Sequence, residues 1–222
     1  MRRLSAVLAA LAALAAALVL PVVALCSDGK PINPHSLKPL TLAVIGDTPY
    51  GEAQYLAFPG LIADVNADPE ADLVLHVGDI KSGSTLCTDA YFAGIRAYFD
   101  AFADPVVYTP GDNEWIDCHR ANNGGYHPLD RLAAIRSAFF PEPGTTIGGR
   151  EKAVLTQADE PGYGEFVENQ LWLQSRTAFS VVHVVGSNND LQPWFGAAET
   201  PLQTAQRLAD PLPGEDRLRG RT

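Results

Sequence analysis

Three stretches of this chain decide its fold, and each is an apolar run that ends in glycine and aspartate: LAVIGD (42–47), LVLHVGD (73–79) and PVVYTPGD (105–112). Apolar runs of this length predict buried strands. Aspartates at the carboxyl ends of strands in one sheet lie at the edge where open α/β sheets bind their ligands. The sequence therefore predicts that three carboxylates cluster at that edge: Asp47, Asp79 and Asp112.

Three carboxylates close together require a cation. Without one, the like charges raise each other's pKa and cost stability. A divalent metal is the natural counter-charge, and carboxylate-rich ligation accepts Mn, Fe, Zn or Mg. The aspartate motifs therefore indicate a metal centre whose metal is not specified by the sequence.

The segments between the three runs predict helices. Residues 52–66 carry apolar side chains at helical spacing, and Thr88 can cap a second helix that extends to about Phe102. The order strand, helix, strand, helix, strand implies a parallel sheet with right-handed crossovers. The first half of the domain is therefore predicted to be of the α/β class.

The pattern changes after Asp112. A polar loop to His127 precedes a predicted helix over residues 129–140, which ends at prolines. Residues 165–173 and 177–185 then predict two antiparallel strands joined by a short turn. We expect one mixed α/β domain over residues 41–209, followed by a disordered tail at residues 210–222.

The first 25 residues are predicted to lie outside this domain. Arg2 and Arg3 precede an uncharged apolar stretch, which is the pattern of a secretory signal peptide. The stretch is also long enough for an uncleaved membrane anchor. Residues 26–40 are polar and proline-containing and predict a linker. We therefore expect a periplasmic or extracellular protein that meets a membrane only if the first segment is not cleaved.

The charge of the chain indicates which partners it can bind, and its cysteines bear on the compartment in which it functions. The chain has 26 acidic and 16 basic residues, a formal net charge of −10, and no run rich in lysine or arginine. This balance disfavours binding to nucleic acid. Export favours a disulfide between Cys87 and Cys118, each of which follows an aspartate-bearing strand. Two free thiols are the alternative.

The three aspartate motifs together resemble those of the calcineurin-like metallophosphoesterases. In that family a first aspartate motif, a Gly-Asp motif and a Gly-Asn-His-Glu/Asp motif follow successive strands. Here Asp79 lies 32 residues after Asp47, and Asp112 lies 33 residues after Asp79. The resemblance implies a metallophosphoesterase-like mixed β-sheet sandwich flanked by helices, and a site for two divalent metal ions.

The resemblance also implies a role for each aspartate. Asp47 would bind one metal, Asp79 would bridge the pair, and Asp112, in the place of the usual asparagine, would bind the other. Two metals about 3.5 to 4 Å apart can share a hydroxide that attacks the phosphorus of a phosphate mono- or diester. The implied partner is a small-molecule phosphate ester.

Several family histidines have no counterpart in this sequence. Pro49 stands two residues after Asp47, where the family has a ligand, and Asn113 stands where the family has a histidine that protonates the leaving group. An amide cannot act as an acid, although it can hydrogen-bond a phosphate oxygen. His119, in the loop near the predicted site, is the candidate replacement for that acid.

The family's later motifs, a lone histidine and a Gly-His-x-His pair, are also not found. His183 lies in an alternating strand without the segment that follows a ligand histidine. The resemblance therefore implies a fold that is incomplete at its C-terminus. Two functions stay open: a metal-dependent phosphoesterase, or a noncatalytic or truncated relative with a binding or vestigial role.

Other side chains beside the motifs have two interpretations each. Tyr50 and Trp115 either line a substrate cleft or pack against the loops. Lys81 either meets a phosphate as a point charge or is a solvated loop lysine. His76, inside the second predicted strand, is expected to be a hydrogen-bonded core residue.

Overall fold

The computed structural model describes residues 39–186 and 194–196. The predicted signal peptide or anchor at residues 1–25, almost all of the linker at 26–40, and the tail at 210–222 lie outside the described residues. Within the part that is described, no helix combines the length and apolar character needed to cross a membrane.

The first sheet carries the three aspartate motifs. Its strands follow one another in the order β1-β2-β3-β4, the first three parallel and the last antiparallel to β3: β1 (Thr41–Ile45), β2 (Ala71–His76), β3 (Pro105–Tyr108) and β4 (Ile147–Gly148). The predicted parallel arrangement is confirmed. The carboxyl ends of β1, β2 and β3 therefore lie side by side.

Three α-helices are present in the described residues: α1 (Gly51–Ala67), α2 (Asp89–Asp100) and α3 (Pro128–Phe139). The predicted cap of α2 is confirmed, because the Thr88 hydroxyl accepts a hydrogen bond from the N–H of Tyr91 at 3.1 Å. Helix α3 begins at Pro128, which suits the first helical turn, where the N–H has no partner. It ends one residue before the predicted limit.

The main core lies between the helices and the first sheet. It consists of apolar side chains from α1, α2, α3 and the strands, including the fully buried residues Val74, Phe92, Ile95, Phe99, Tyr108 and Phe139. Several of the aromatic rings meet edge to face, which adds specific contacts to the apolar burial. This packing fixes β2 and β3, and with them the turns that follow.

A second, antiparallel sheet packs against the first. It contains β5 (Leu155–Thr156), β6 (Gln170–Gln174) and β7 (Thr177–Val181). Trp172 stacks on Phe179 with 5.1 Å between ring centroids, and Trp172 packs with Leu73 and Val107 of the first sheet. The two sheets and the helices form the mixed α/β architecture that the sequence predicts.

The predicted hairpin is antiparallel, but its strands are shorter than predicted. Residues 165–169 precede β6 rather than belong to it, and residues 182–185 follow β7. The strands are shorter because, beyond these ends, a side chain rather than the partner strand accepts the backbone hydrogen bond. The N–H of His183 donates to the Asn169 side-chain oxygen at 2.7 Å instead of to a backbone carbonyl. The alternation of apolar and polar residues in the sequence does not reveal that a side-chain oxygen takes the place of a backbone acceptor here.

The predicted disulfide is confirmed. Cys87 and Cys118 are bonded and both are fully buried. The bond joins the loop after β2 to a short 3-10 helix after β3, Ile116–His119. It therefore links two of the three loops that carry the aspartates.

Replacing both Cys87 and Cys118 by serine should lower the free energy of unfolding by about 3 to 4 kcal/mol, because the cross-link closes a loop in the unfolded chain. The bond spans 31 residues, which sets that estimate. Denaturant titrations of the variant and of the wild type with and without reductant measure it. Reduced wild type should match the variant, and coincident curves for the oxidised wild type and the variant would contradict the prediction.

Candidate active site

Each of the first two aspartates lies in a sharp turn at the end of its strand. Asp47 has φ of 54° and Asp79 has φ of 57°, in the left-handed region that aspartate tolerates better than most residues. The N–H of Asp47 donates to the Gly78 carbonyl at 3.1 Å. The turns after β1 and β2 are therefore joined by a backbone hydrogen bond directly at the aspartates.

Glycines allow the turns after β2 and β3 to touch. A Cβ on Gly78 would lie 2.8 Å from the Gly111 nitrogen, and a Cβ on Gly111 would collide with Oδ1 of Asp79. Gly78 also has φ of 99°, a conformation that favours glycine. The glycines before Asp79 and Asp112 are therefore explained by the close approach of these two turns.

The side chain of His76 holds the turns after β1 and β2 together through two hydrogen-bond contacts. It is fully buried, its Nε2 lies 2.9 Å from the Thr48 carbonyl, and its Nδ1 accepts the Gly78 N–H at 3.3 Å. A carbonyl can only accept, so Nε2 carries the hydrogen of the neutral ring. Burial lowers the pKa of His76 to about 4, which keeps it neutral. The prediction of a hydrogen-bonded core histidine is confirmed.

Tyr50 connects the first two carboxylates. Its hydroxyl lies 2.9 Å from Oδ1 of Asp47 and 3.3 Å from Oδ2 of Asp79, and it accepts a hydrogen bond from the Asn113 amide at 3.2 Å. Burial, then the hydrogen bond to Asp47 and the nearby charges, raise the pKa of Tyr50. The phenol therefore stays neutral and keeps its hydrogen, so it acts as a hydrogen-bond donor to the carboxylate oxygens. The Tyr50 hydroxyl thus lies between two of the predicted ligands, and its role in a substrate cleft stays a prediction.

Asp79 is the electrostatic centre of the cluster. Burial is the main cause that raises the pKa of its carboxyl, and the charges of Asp112 and Asp47 raise it further. The N–H of Asn113 opposes this rise by donating to Oδ1 of Asp79 at 3.2 Å. Asp79 therefore interacts with both of the other predicted ligands.

Asp112 is covered by the segment that follows β7. A Cβ on Gly186 would lie 2.6 Å from Oδ2 of Asp112, so any larger residue would force this carboxylate to move. The carbonyl of Asp112 accepts the N–H of Asp117 at 3.1 Å, which closes the turn after the motif. The chain after the second sheet thus contributes to the site, although it supplies no histidine there.

The candidate ligands for a metal are the three aspartates. In residues 39–186 and 194–196, no three histidine, cysteine, aspartate or glutamate side chains converge on a single point that could hold an ion. Asp79 is paired with Asp47 through the Tyr50 hydroxyl and interacts electrostatically with Asp112. Carboxylate oxygens are the donors that hard divalent cations prefer. The donor chemistry of the aspartates therefore fits a divalent cation.

Lys81 is buried and does not contact solvent. Its ammonium donates to the Asn113 carbonyl at 2.6 Å and to the Asn123 side-chain oxygen at 2.7 Å. Burial lowers its pKa to about 8, against the opposing charges of Glu114 and Asp117. Both interpretations from the sequence are therefore wrong: Lys81 is neither solvated nor accessible to a phosphate.

Glu114, the fourth residue of the third motif, shapes the turn. It is fully buried, and Oε1 accepts hydrogen bonds from the Gly111 N–H and the Tyr108 hydroxyl, both at 2.7 Å. Burial raises its pKa to about 7. Sequence reasoning assigned Glu114 no role, although its position three residues after Gly111 suits a side chain that caps the turn.

His119 lies on the 3-10 helix after the third motif. Its Nδ1 is 2.7 Å from the Ile116 carbonyl, and its ring packs edge-on against Phe195 with 5.8 Å between centroids. A carbonyl oxygen can only accept, so this contact places a hydrogen on Nδ1. The role of His119 as a proton donor stays a prediction.

A buried ion-pair network behind the third motif was not predicted. Trp115 is buried, and its indole N–H donates to Nε2 of His183 at 3.2 Å. Nδ1 of His183 lies 3.1 Å from Glu168, which also pairs with Arg136 at 2.7 Å. Burial alone would raise the pKa of Glu168, but the hydrogen bonds from His183 and Arg136 lower it. Trp115 therefore packs the loop and does not line a cleft.

The family model for the calcineurin-like phosphoesterases matches residues 40–207. The chain belongs to the calcineurin-like phosphoesterase family. This confirms the resemblance that the aspartate motifs indicate, and the matched residues include all three motifs. Searches of curated proteins and of solved structures gave no match.

Tyr50→Phe should destabilise the metal-free phosphoesterase domain by about 1 kcal/mol, because Asp47 and Asp79 lose the donor between them. Thermal unfolding in the presence of EDTA measures the change. Tyr163→Phe is the control, since Tyr163 is an exposed tyrosine. Equal melting temperatures for wild type and Tyr50→Phe would show that the hydroxyl does not stabilise the pair.

Glu168→Gln should lower the free energy of unfolding at neutral pH by about 3 kcal/mol, because it breaks a buried pair with Arg136. The pKa of Glu168 is lower in the folded protein than its ordinary value of 4.5, so its contribution is complete above that pH. As the pH falls through the folded pKa, the difference between wild type and variant should disappear.

Glu165→Gln is the matched control, because Glu165 pairs with the same arginine. Its side chain is 71% exposed, against 1% for Glu168. An exposed pair contributes less than about 1 kcal/mol. Urea titrations over a pH series compare the two variants. If the free energy of unfolding fell as much in Glu165→Gln as in Glu168→Gln, the larger contribution assigned to the buried Glu168–Arg136 pair would be contradicted.

Proposed function

We propose that this protein is a metal-dependent phosphoesterase that hydrolyses a small phosphate mono- or diester. The supporting observation is that Asp79 is paired with Asp47 through the Tyr50 hydroxyl and interacts electrostatically with Asp112. Membership of the calcineurin-like family indicates the phosphoesterase class of activity. The metal requirement, the number of ions and the substrate are parts of the proposal.

The three aspartates are the residues that would hold the metal, with Asp79 shared between Asp47 and Asp112. A divalent ion supplies positive charge for the phosphoryl oxygens and lowers the pKa of water. The carboxylates also repel the phosphate of a substrate, so binding of an anionic ester depends on that positive charge.

Asn113 is the proposed hydrogen-bond donor for a phosphoryl oxygen. Its backbone is fixed at both ends, since its N–H donates to Asp79 and its carbonyl accepts from Lys81. Its side-chain amide donates to Tyr50 at 3.2 Å and is therefore the donor that lies next to the carboxylates. An amide donor stabilises negative charge on oxygen without taking part in proton transfer.

His119 is the proposed donor of the proton that the leaving group needs. The contact of Nδ1 with the Ile116 carbonyl orients the ring. In this orientation Nε2 is the nitrogen that would transfer the proton. In this proposal Asn113 binds the phosphate and His119 supplies the acid that Asn113 cannot.

Asp79→Asn should abolish activity, because it removes the carboxylate that the other two share. Phosphate release from mono- and diesters is measured with purified protein in Mn, Zn or Mg, together with metal content. We expect a loss of at least about 100-fold in activity and lower metal content.

The control for this experiment is Asp100→Asn. Asp100 pairs with Arg96 on the exposed side of α2, so its loss should leave activity unchanged. A wild type without metal and without activity would overturn the proposal and favour a noncatalytic relative. Activity that persists in Asp79→Asn would place the reaction at another site.

A further inference from the structure

Two positively charged side chains lie beside Asn113, and they differ in accessibility. Lys81 is fully buried, and its ammonium is held by Asn113 and Asn123. Arg120 follows the 3-10 helix Ile116–His119, and its side chain is 47% exposed. An anionic substrate can therefore reach Arg120 but not Lys81.

Arg120 faces Asn113 across a gap that Gly83 keeps open. A Cβ on Gly83 would lie 3.3 Å from Oδ1 of Asn113 and 3.9 Å from a guanidinium nitrogen of Arg120. The other end of the amide, Nδ2, donates to the hydroxyl of Tyr50, which contacts two of the aspartates. Asn113 therefore has two of the aspartates on its nitrogen side and the Arg120–Asp117 ion pair on its oxygen side, where Oδ2 of Asp117 would lie 3.6 Å from the same Cβ on Gly83.

Asp117 fixes the position of the guanidinium. Oδ2 of Asp117 accepts a hydrogen bond from Nη1 of Arg120 at 2.5 Å, and Asp117 itself is nearly buried. Among the described residues, Asp117 is the side chain that hydrogen-bonds the guanidinium of Arg120. A guanidinium carries further N–H groups in a planar fork, which suits a second, bidentate contact with a carboxylate or phosphate.

We propose that Arg120 is a substrate-binding residue that selects phosphate esters with a second anionic group, a carboxylate or a further phosphate. This inference rests on the proposed phosphoesterase function. The reacting phosphoryl group lies at the aspartates, and the second anionic group lies beyond Asn113 against the guanidinium. An ester whose only anionic group is the reacting phosphate makes no contact of this kind.

Glycerol 3-phosphate and 3-phosphoglycerate test this selection, because they share a carbon skeleton and differ by a carboxylate. The wild type should hydrolyse 3-phosphoglycerate with the higher kcat/KM. Arg120→Gln keeps a donor for Asp117 but removes the charge, and it should reduce the preference about ten-fold, mainly through KM. Gly83→Val leaves Arg120 and Asp117 unchanged, fills the gap and should reduce the preference in the same direction.

Arg150→Gln is the matched control. Arg150 is also an exposed arginine, at 66%, that pairs with a nearly buried aspartate, Asp104. Asp104 precedes β3, whereas the candidate site follows the carboxyl end of that strand. The preference of Arg150→Gln should therefore equal that of the wild type. Melting temperatures of all variants confirm that each is folded under the assay conditions.

Calorimetric titration with 3-phosphoglycerate separates this inference from the proposed activity. If the wild type hydrolyses neither ester but binds 3-phosphoglycerate about ten-fold more tightly than Arg120→Gln does, the enzymatic function fails and the role of Arg120 is supported. Equal preferences in wild type and Arg120→Gln would overturn the inference. Where no hydrolysis occurs, equal dissociation constants or no measurable binding would overturn it as well.

Discussion

The contact between the turns after β2 and β3 is the constraint on which the candidate site depends. Parallel pairing alone sets neighbouring strands about 4.8 Å apart. The turns come closer than that at Gly111, where a Cβ would collide with Oδ1 of Asp79. The same approach lets the Asn113 N–H donate to Asp79 and places Asp112 next to the contact. Two residues without side chains, Gly78 and Gly111, thus bring the charges together.

This close approach costs electrostatic free energy, which the surrounding loops offset. Burial and neighbouring charges raise the pKa of Asp79, so the carboxylate form is disfavoured there. The surrounding loops hold the backbone of Asn113 in place through contacts with its carbonyl oxygen. Its carbonyl accepts from Lys81, and the sulfur atoms of Cys87 and Cys118 lie 3.8 and 3.9 Å from the same oxygen. The backbone of Asn113 is therefore held by a buried cation and a cross-link, while its side chain lies in the site.

Sequence patterns predicted the parts of the fold that neighbours along the chain decide. Apolar periodicity located the strands, and the residues that follow them are the three aspartates that the structure brings together at one edge: Asp47, Asp79 and Asp112. The sequence pattern gave wrong predictions where the surroundings of a side chain are set by residues far away along the chain. Lys81 has the polar sequence neighbours of a solvated residue, but its partners lie 32 and 42 residues away. Glu168 was placed in a strand, but it instead binds His183 and Arg136, which lie 15 and 32 residues away.

The departures from the family pattern change the chemistry of the donor set. Pro49 has no side-chain donor, but Tyr50 follows it directly and its hydroxyl reaches both Asp47 and Asp79. The donors that the described residues bring to Asp79 are therefore carboxylate and phenol oxygens. Oxygen donors suit hard ions such as Mg and Mn, whereas Zn favours nitrogen and sulfur. In the proposed function, a centre of this kind would attract a divalent cation through concentrated negative charge, and the contact at Gly111 that concentrates this charge would serve metal binding as well as the fold.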